Sequence, residues 1–177
     1  MSGPAVSVGQ SAFGRGVFAA RQFQPGQRIL TFDGTTLSRP EMLALGPDRA
    51  FALQIGSGEF LDLMPPGRYL NHSCDPNAGI MHDRALIALR TIASGEEIRF
   101  DYSTTMREDH WTMECRCGEY LCRRVVLDFH HLPPITQNRY LQLGIVQRFI
   151  VDDVRRHAPA RRHAVARRRP LYRQVIA

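Results

Sequence analysis

The stretch RYLNHSCDPN, residues 68–77, decides how the rest of the chain is interpreted. Polar and thiol side chains dominate it, with a Pro-Pro-Gly turn directly before it and an Asp-Pro turn near its end. It contains too few apolar residues for a half-buried strand or an amphipathic helix. Its Asn, His, Ser and Cys side chains offer hydrogen-bond donors, acceptors and a soft metal ligand in succession. Taken alone, the stretch fits a polar loop as well as a binding site.

Length and composition indicate a single globular domain, because 177 residues with 44% hydrophobic side chains can bury a real core. No apolar run reaches the length of a membrane span, and residues 1–10 lack the charged start and hydrophobic stretch of a signal peptide. We therefore expect a cytoplasmic protein with no membrane contact. Its four cysteines should be reduced thiols rather than disulfides.

The positive charge is concentrated at one end of the chain. Residues 1–150 contain 15 arginines and 15 acidic residues, whereas residues 151–177 contain 8 arginines and two aspartates. The chain contains no lysine, which is explained either by a GC-rich genome or by an enzyme that modifies lysine and avoids itself. The Arg-rich segment from Arg155 to Arg173 is either a solvated tail or a weak, salt-dependent contact for nucleic acid.

Short apolar runs separated by Gly and Pro predict a mostly β fold of small sheets with short helices. Strands are expected at 17–20, 28–32, 51–55, 59–63, 78–81, 85–92 and 98–102. Ser38 followed by Glu41 predicts a short helix that must stop before Gly46-Pro47. Apolar residues at near-helical spacing over 140–150, broken at Gly144, predict a C-terminal helical extension.

The spacing of the cysteines is the most specific local pattern. Cys115, Cys117 and Cys122 form a Cys-x-Cys-x4-Cys motif, and Cys74 in the polar stretch is the remaining cysteine. Four thiolates make a closed structural zinc site, which supplies folding energy rather than chemistry. The alternative is a set of inert buried thiols.

Together these segments resemble the SET-domain protein-lysine methyltransferases. The matching parts are Gly14-Arg15-Gly16-Val17-Phe18, then residues 68–77, then the segment 95–102, which ends at Tyr102. The Cys-x-Cys-x4-Cys segment resembles the post-SET zinc clamp of the family, in which the polar stretch supplies the fourth cysteine. The resemblance implies a β-clip fold in which residues 71–74 and the strand through Tyr102 form a pseudoknot.

The resemblance also implies the organisation of the chain. We expect an N-terminal lead-in over 1–11, a SET domain over 12–108 and a post-SET zinc-binding segment over 109–125. A C-terminal helical extension over 126–154 and the Arg-rich tail over 155–177 would follow.

The same resemblance assigns roles to individual residues. S-adenosylmethionine would bind against a group of residues that comprises Gly14, Arg15, Gly16, Arg68, Asn71, His72 and Tyr102. Trp111 is a candidate aromatic lid over the cofactor or a side chain of the core. The substrate lysine would enter a channel lined by Phe32, Phe100 and Tyr102, with Tyr102 as the catalytic residue.

Two channel positions carry specific expectations. Phe100 stands where the family uses Phe or Tyr to influence the number of methyl groups added, and its lack of a hydroxyl predicts di- or trimethylation. Phe32 stands where the family usually carries a tyrosine, so one channel hydroxyl is lost.

The function expected is S-adenosylmethionine-dependent methylation of a lysine side chain, in a histone or another nucleic-acid-associated protein. In a eukaryotic or host cell such an enzyme would be nuclear or chromatin-associated. The rivals are a catalytically weak SET module that binds a protein and a zinc-containing nucleic-acid-binding protein. The Phe32 departure supports the first rival, and the Arg-rich tail supports the second.

Overall fold

The computed structural model describes residues 3–109 and 111–157. Their strands are short and their helices few, as the sequence predicts. In chain order the elements are β1 Val6–Ser11, β2 Gly14–Ala19, β3 Arg28–Thr31, β4 Gly34–Ser38, α1 Arg39–Ala44, β5 Ala52–Gly56, β6 Glu59–Leu63, β7 Asn71–His72, β8 Ala78–Met81, β9 Ala85–Ala88, β10 Glu97–Phe100, β11 Met113–Glu114, β12 Val125–Val126, α2 Pro134–Leu143 and α3 Arg148–His157.

The strands form small sheets rather than one large one. Within the described residues, β1-β2-β10-β7 form a four-stranded sheet, β3-β9-β8 and β4-β6-β5 form three-stranded sheets, and β11-β12 form a ribbon. The pairing of β7 with β10 is parallel, with Arg99 opposite Asn71 and Phe100 opposite His72. This pairing lays the polar stretch alongside the strand that leads to Tyr102, which is the proximity that the resemblance implies.

Local signals in the sequence explain where several elements begin and end. The backbone N–H of Ser38 donates to Glu41 Oε2 at 2.8 Å, which completes the predicted capping box of α1. α2 ends at Gly144, whose φ of 68° is the left-handed conformation that closes a helix. The predicted strand over 98–102 is too long by two residues, because the Asp101 side chain accepts the Ser103 N–H at 3.1 Å and caps a 3₁₀ turn.

The core consists of three hydrophobic clusters. The largest joins the sheets and includes the fully buried Phe23, Leu61 and Ile98. A second cluster packs α2 and α3 around Phe129 and Ile150. A third, smaller cluster contains cysteines together with Met106 and Val126 and is described below.

The C-terminal helices are part of the fold. Gln147 N–H donates to the Thr104 carbonyl at 3.1 Å, and Arg148 N–H donates to Asp83 Oδ1 at 2.8 Å. α3 continues to His157, three residues into the segment expected to be a tail, and residues 158–177 lie outside the described part of the chain. None of the helices in residues 3–109 and 111–157 is long and apolar enough to span a membrane.

Candidate active site

A cavity of about 390 Å³ opens beside the polar stretch. Its walls come from the segment 67–71, from β5 and from the residues around the end of β10. The predicted site residues that line it are Arg15, Arg68, Asn71, Phe100, Tyr102 and Trp111. Leu53, Leu63, Leu70 and Met106 add apolar surface. The cavity therefore combines an apolar wall with a few polar groups, as ligand sites usually do.

Tyr102 is held in one orientation at this cavity. Its hydroxyl donates to the Leu70 carbonyl at 2.6 Å, and its ring lies 4.9 Å from Phe100 and 6.3 Å from Trp111, measured between centroids. Burial, and then the negative charge of Glu97, raise the pKa of the phenol above its ordinary value. Tyr102 is therefore a neutral phenol whose proton is committed to Leu70, and its oxygen lone pairs remain available to accept a hydrogen bond.

Asn71 clamps the glycine-containing segment at the start of β2. Its amide donates to the Arg15 carbonyl at 2.9 Å and to Glu97 Oε1 at 2.8 Å. A Cβ on Gly16 would lie 2.5 Å from Glu97 Oε1 and 2.9 Å from Ser11 Cβ, so any larger residue there would displace the Glu97 carboxylate that Asn71 contacts. The Asn71 donors are thus used to fix the backbone beside the cavity, and its carbonyl oxygen remains for a ligand.

The two predicted arginines are positioned differently. Arg15 donates to the Tyr69 hydroxyl at 2.7 Å and lies over the Tyr69 ring, at the exposed rim of the cavity. Arg68 forms ion pairs with Asp48 at 3.3 Å and Asp62 at 3.4 Å, so it braces the wall. Of these two arginines, Arg15 is the one for which the described residues provide no carboxylate partner.

Phe32 occupies a second layer behind the cavity. It is 1% exposed and packs edge-on against Phe100, with their ring centroids 6.0 Å apart. Phe100 lines the cavity, whereas Phe32 is not among its lining residues. Phe32 was predicted to line the channel. It instead packs behind Phe100, which forms the wall of the cavity.

The cysteine segment folds onto the polar stretch. The sulfurs of Cys74 and Cys115 lie 3.7 Å apart, and these two with Cys117 and the His72 ring present ligand atoms that all lie within 4.8 Å of one another. The Cys122 sulfur is 3.7 Å from the Cys115 carbonyl and is not part of that group. Burial raises the pKa of Cys74, and it raises that of Cys115 to about 11. The converging sulfurs of these buried cysteines fit a zinc ion, which would hold them as thiolates.

The hydrogen bonds of His72 indicate that its ring supports the cysteine group and is not itself a metal ligand. Its Nδ1 accepts the Tyr102 N–H at 3.2 Å, and its Nε2 lies 3.3 Å from the Cys74 sulfur. Desolvation lowers the pKa of His72 to about 4, against the pull of Asp101, so the ring is neutral. A neutral ring that accepts at Nδ1 carries its proton on Nε2 and donates it to the sulfur. His72 thereby connects the cysteine group to the backbone of Tyr102, and its predicted contact with the cofactor stays a prediction.

A buried ionic network supports the same strand from behind. Asp101 is 1% exposed and is paired with Arg123 at 2.8 Å, and it also accepts the Tyr140 hydroxyl at 2.8 Å. The Arg123 backbone N–H in turn donates to the Cys74 sulfur at 3.4 Å. Residues from the cysteine segment and from α2 therefore meet at the residue that precedes Tyr102.

The family model described as "SET domain" matches residues 14–103, which is half of the chain. The chain belongs to the SET-domain family. It is similar to the human Histone-lysine N-methyltransferase 2D, with 28% identity over 127 residues, covering 63% of this chain and 2% of that protein. It is also similar to the Histone-lysine N-methyltransferase, H3 lysine-9 specific KMT1 of Fusarium mangiferae, with 38% identity over 87 residues, covering 38% of this chain and 24% of that protein. The chain thus spans only a small part of these curated relatives.

A solved SET structure supports the fold. Arabidopsis thaliana SUVH6 in complex with SAM superposes with a TM-score of 0.57 and 22% identity, covering 67% of this chain and 32% of that one. The predicted family and the predicted mostly β SET fold are confirmed.

The structure also contains contacts that sequence reasoning did not assign. Tyr69 lies inside the polar stretch and Glu97 inside the matching segment 95–102, so their positions were signalled without a role. Arg123 and Tyr140 carried no local signal, because only the tertiary structure brings them to Asp101.

Proposed function

We propose that this chain is a protein-lysine N-methyltransferase that uses S-adenosylmethionine. The observation that carries the proposal is the Tyr102 phenol, which is held by the Leu70 carbonyl at an apolar cavity beside the Gly14–Gly16 segment. The curated relatives are named histone-lysine N-methyltransferases, which is consistent with this activity.

The cavity has the properties that methyl transfer to an amine requires. Bound S-adenosylmethionine supplies an electrophilic methyl group: a nitrogen–carbon bond forms, the carbon–sulfur bond breaks, and the amine proton goes to solvent. A free lysine has a pKa of about 10.4 and must first become neutral. The apolar wall formed by Phe100, Leu70 and Trp111 disfavours the ammonium form through desolvation.

Tyr102 would orient the amine rather than act as a base. Its pKa is raised and its proton is donated to Leu70, so its oxygen can accept one amine N–H and direct the nitrogen lone pair towards the methyl group. Asn71 would hold the 14–16 segment against the cofactor through its bond to the Arg15 carbonyl. The assignment of Gly14, Gly16 and Trp111 to the cofactor is part of the same proposal.

A structural zinc ion would be bound by Cys74, Cys115, Cys117 and Cys122. In this arrangement His72 donates to the Cys74 sulfur and supports the ion from outside its ligand shell. The ion would attach the post-SET segment over 109–125 to the polar stretch and would take no part in the reaction.

The substrate we propose is a lysine in a histone or in another nucleic-acid-associated protein. The names of the relatives support a histone. The Arg-rich tail would add a weak nucleic-acid contact, and a cytoplasmic or chromatin-associated location remains part of this proposal. Phe100 at the cavity leaves room for a methylated amine, so we propose di- or trimethylation as the end product.

The proposal is tested by transfer of labelled methyl groups from S-adenosylmethionine to a mixture of lysine-rich proteins that includes histones. The chain contains no lysine, so it contributes no lysine methylation of its own to the signal. Tyr102→Phe should abolish most of the transfer while keeping the fold. Tyr120→Phe is the matched control, because that tyrosine is 99% exposed.

Each outcome has a distinct meaning. Label on lysine that is lost in Tyr102→Phe and kept in Tyr120→Phe supports the enzyme. Cofactor binding without transfer to any protein would favour a protein-binding SET module instead. Absence of both cofactor binding and transfer would contradict the proposal.

A further inference from the structure

Three side chains of types that can bind metal ions meet at the surface, in a group separate from the cysteines. His131 Nε2 lies 2.8 Å from Asp109 Oδ1, and His130 Nε2 lies 3.2 Å from Asp109 Oδ2. The two imidazole rings are 3.9 Å apart between centroids. One ligand atom from each residue lies within 4.8 Å of the others.

The convergence of two consecutive side chains is built into the local fold. His130 and His131 end a 3₁₀ turn that begins at Phe129, which is fully buried. The Phe129 N–H donates to the Met106 carbonyl at 3.0 Å and anchors the turn to the SET domain. The turn is therefore held in place by the core.

The acidic member of the cluster is fixed from the same turn. The Asp109 N–H donates to Asp128 Oδ2 at 2.7 Å, and Asp128 is itself only 2% exposed. Asp109 adopts a φ of 49°, a conformation that Asp and Asn tolerate better than most residues. Its carboxylate is 60% exposed, so it is held in place yet open to solvent.

We propose that Asp109, His130 and His131 form a second, surface metal site for a divalent transition ion of the Zn²⁺ class. Two imidazole nitrogens and one carboxylate oxygen are ligands that such ions accept. The site shares no residue with the cysteine group, and its donors are harder than thiolates. Three protein ligands leave at least one position for water, so this ion would exchange more readily than one held by four thiolates.

The alternative is a hydrogen-bonded His-Asp-His cluster that binds no ion. Both Nε2 atoms face the same carboxylate, so without an ion each ring donates a proton to it. An ion would replace those two protons, which would move to the Nδ1 atoms. Nδ1 of His130 is buried without a hydrogen-bond partner among the described residues, so that atom is unpaired in either state.

The proposed metal site lies close in sequence to a residue of the cavity. Asp109 belongs to the start of the post-SET segment, and two residues later Trp111 lines the cavity and packs against Tyr102. His130 and His131 belong to the turn that leads into α2. An ion would thus link the segment that begins at Asp109, close in sequence to Trp111, to the turn that leads into α2.

The test uses the full chain with its cysteines already loaded with one equivalent of Zn²⁺. Co²⁺ is then added, and both its absorption and the fluorescence of Trp111 are followed. Trp111 is the only tryptophan in the sequence, so it reports on this region alone. We expect a visible cobalt spectrum without the thiolate-to-cobalt charge-transfer bands, together with quenching of Trp111.

Two variants remove one ligand each without disturbing the core. Asp109→Asn tolerates the same backbone conformation, and His131→Ala shortens a side chain that is 47% exposed. Each should weaken Co²⁺ binding by at least about 10-fold, because even changes outside a ligand shell cost 10–100-fold in metal affinity. His157→Ala, at the exposed end of α3, is the histidine control and should bind like the wild type.

Two results would overturn the proposal. One is that Co²⁺ enters only with thiolate charge-transfer bands, which means that it displaces zinc from the cysteines. The other is that wild type, Asp109→Asn and His131→Ala bind Co²⁺ with equal affinity or not at all. Neither result bears on methyl transfer, so the proposed function is tested separately.

Discussion

The two faces of the segment 100–102, where β10 ends, differ in what they contact. Phe100 and Tyr102 face the cavity, whereas Asp101 between them is buried against Arg123 and Tyr140. The difference follows from extended backbone, in which successive side chains point to opposite sides. One face lines the cavity, and the other attaches the segment to the rest of the molecule.

The side chains at the cavity and the side chains that hold the strand in place are therefore on different faces. The cavity face offers one hydroxyl in an apolar setting, which suits the orientation of an amine. The buried face joins the strand to the cysteine segment through Arg123 and to the C-terminal helices through Tyr140. Changes on the buried face should therefore lower stability first, and changes on the cavity face should lower activity with little effect on stability.

Removal of the metal ion should lower the free energy of unfolding more than any of the substitutions below. Chelation of the zinc that we propose at the cysteines would leave buried thiols without their ion and release the post-SET segment from the polar stretch. Because structural zinc binding is folding free energy, we expect a loss of several kcal/mol, up to about 10 kcal/mol. Thermal unfolding with and without a strong chelator measures it, and an unchanged melting temperature on complete zinc loss would contradict the structural role.

Asp101→Ala should be the most damaging single substitution on the buried face. It leaves the Arg123 guanidinium, whose side chain is 15% exposed, without its carboxylate. Breaking a buried pair in this way costs about 3–5 kcal/mol. Denaturant unfolding measures the loss, with Asp75→Ala as the control because its pair with Arg139 is 60% exposed at the aspartate.

Tyr102→Phe tests the opposite face with a similarly small change in structure. We expect methyl transfer to fall by about 100-fold or more, since loss of orientation at a reacting atom costs that much. Stability should fall by only about 1 kcal/mol, the net value of its bond to Leu70. A variant that loses stability and activity in proportion would show that the two faces are not separable.

Tyr140→Phe tests how strongly the C-terminal extension supports the site. The substitution removes only the hydroxyl that donates to Asp101 Oδ2 at 2.8 Å. A hydrogen bond to a charged group is worth about 1.5–3 kcal/mol, so we expect a loss in that range. Tyr120→Phe is again the matched control. Equal unfolding free energies for the two variants would show that α2 contributes packing alone.

Phe100→Tyr should have the smallest effect on stability and a specific effect on product. A hydroxyl added at the cavity would occupy room for a methylated amine and could hold the amine by a hydrogen bond. We expect the product to shift towards monomethyl-lysine, with a stability change below about 1.5 kcal/mol. Mass spectrometry of the methylated substrate measures the product, and an identical methylation pattern would contradict the role given to Phe100.

Much of the site was predictable because its members lie in short, distinctive segments. Asn71 and Cys74 lie together in the polar stretch. The cysteine spacing predicted a group of four thiols, and the sulfurs of three of them, Cys74, Cys115 and Cys117, lie within 4.8 Å of one another. Short β elements followed from Gly and Pro punctuation, and the stops at Gly46 and Gly144 followed from their turn chemistry.

The sequence by itself determined the family, the mostly β class and the order of the motifs, because each depends on residues that are close together in the chain. Tertiary structure alone decided that Phe32 sits behind the cavity and that His72 turns its ring towards the cysteines. It also brought Arg123 and Tyr140 to Asp101, and His131 to Asp109. These last contacts join residues about 20 to 40 positions apart in the chain. Local propensity and spacing do not specify which distant residue will contact a given side chain.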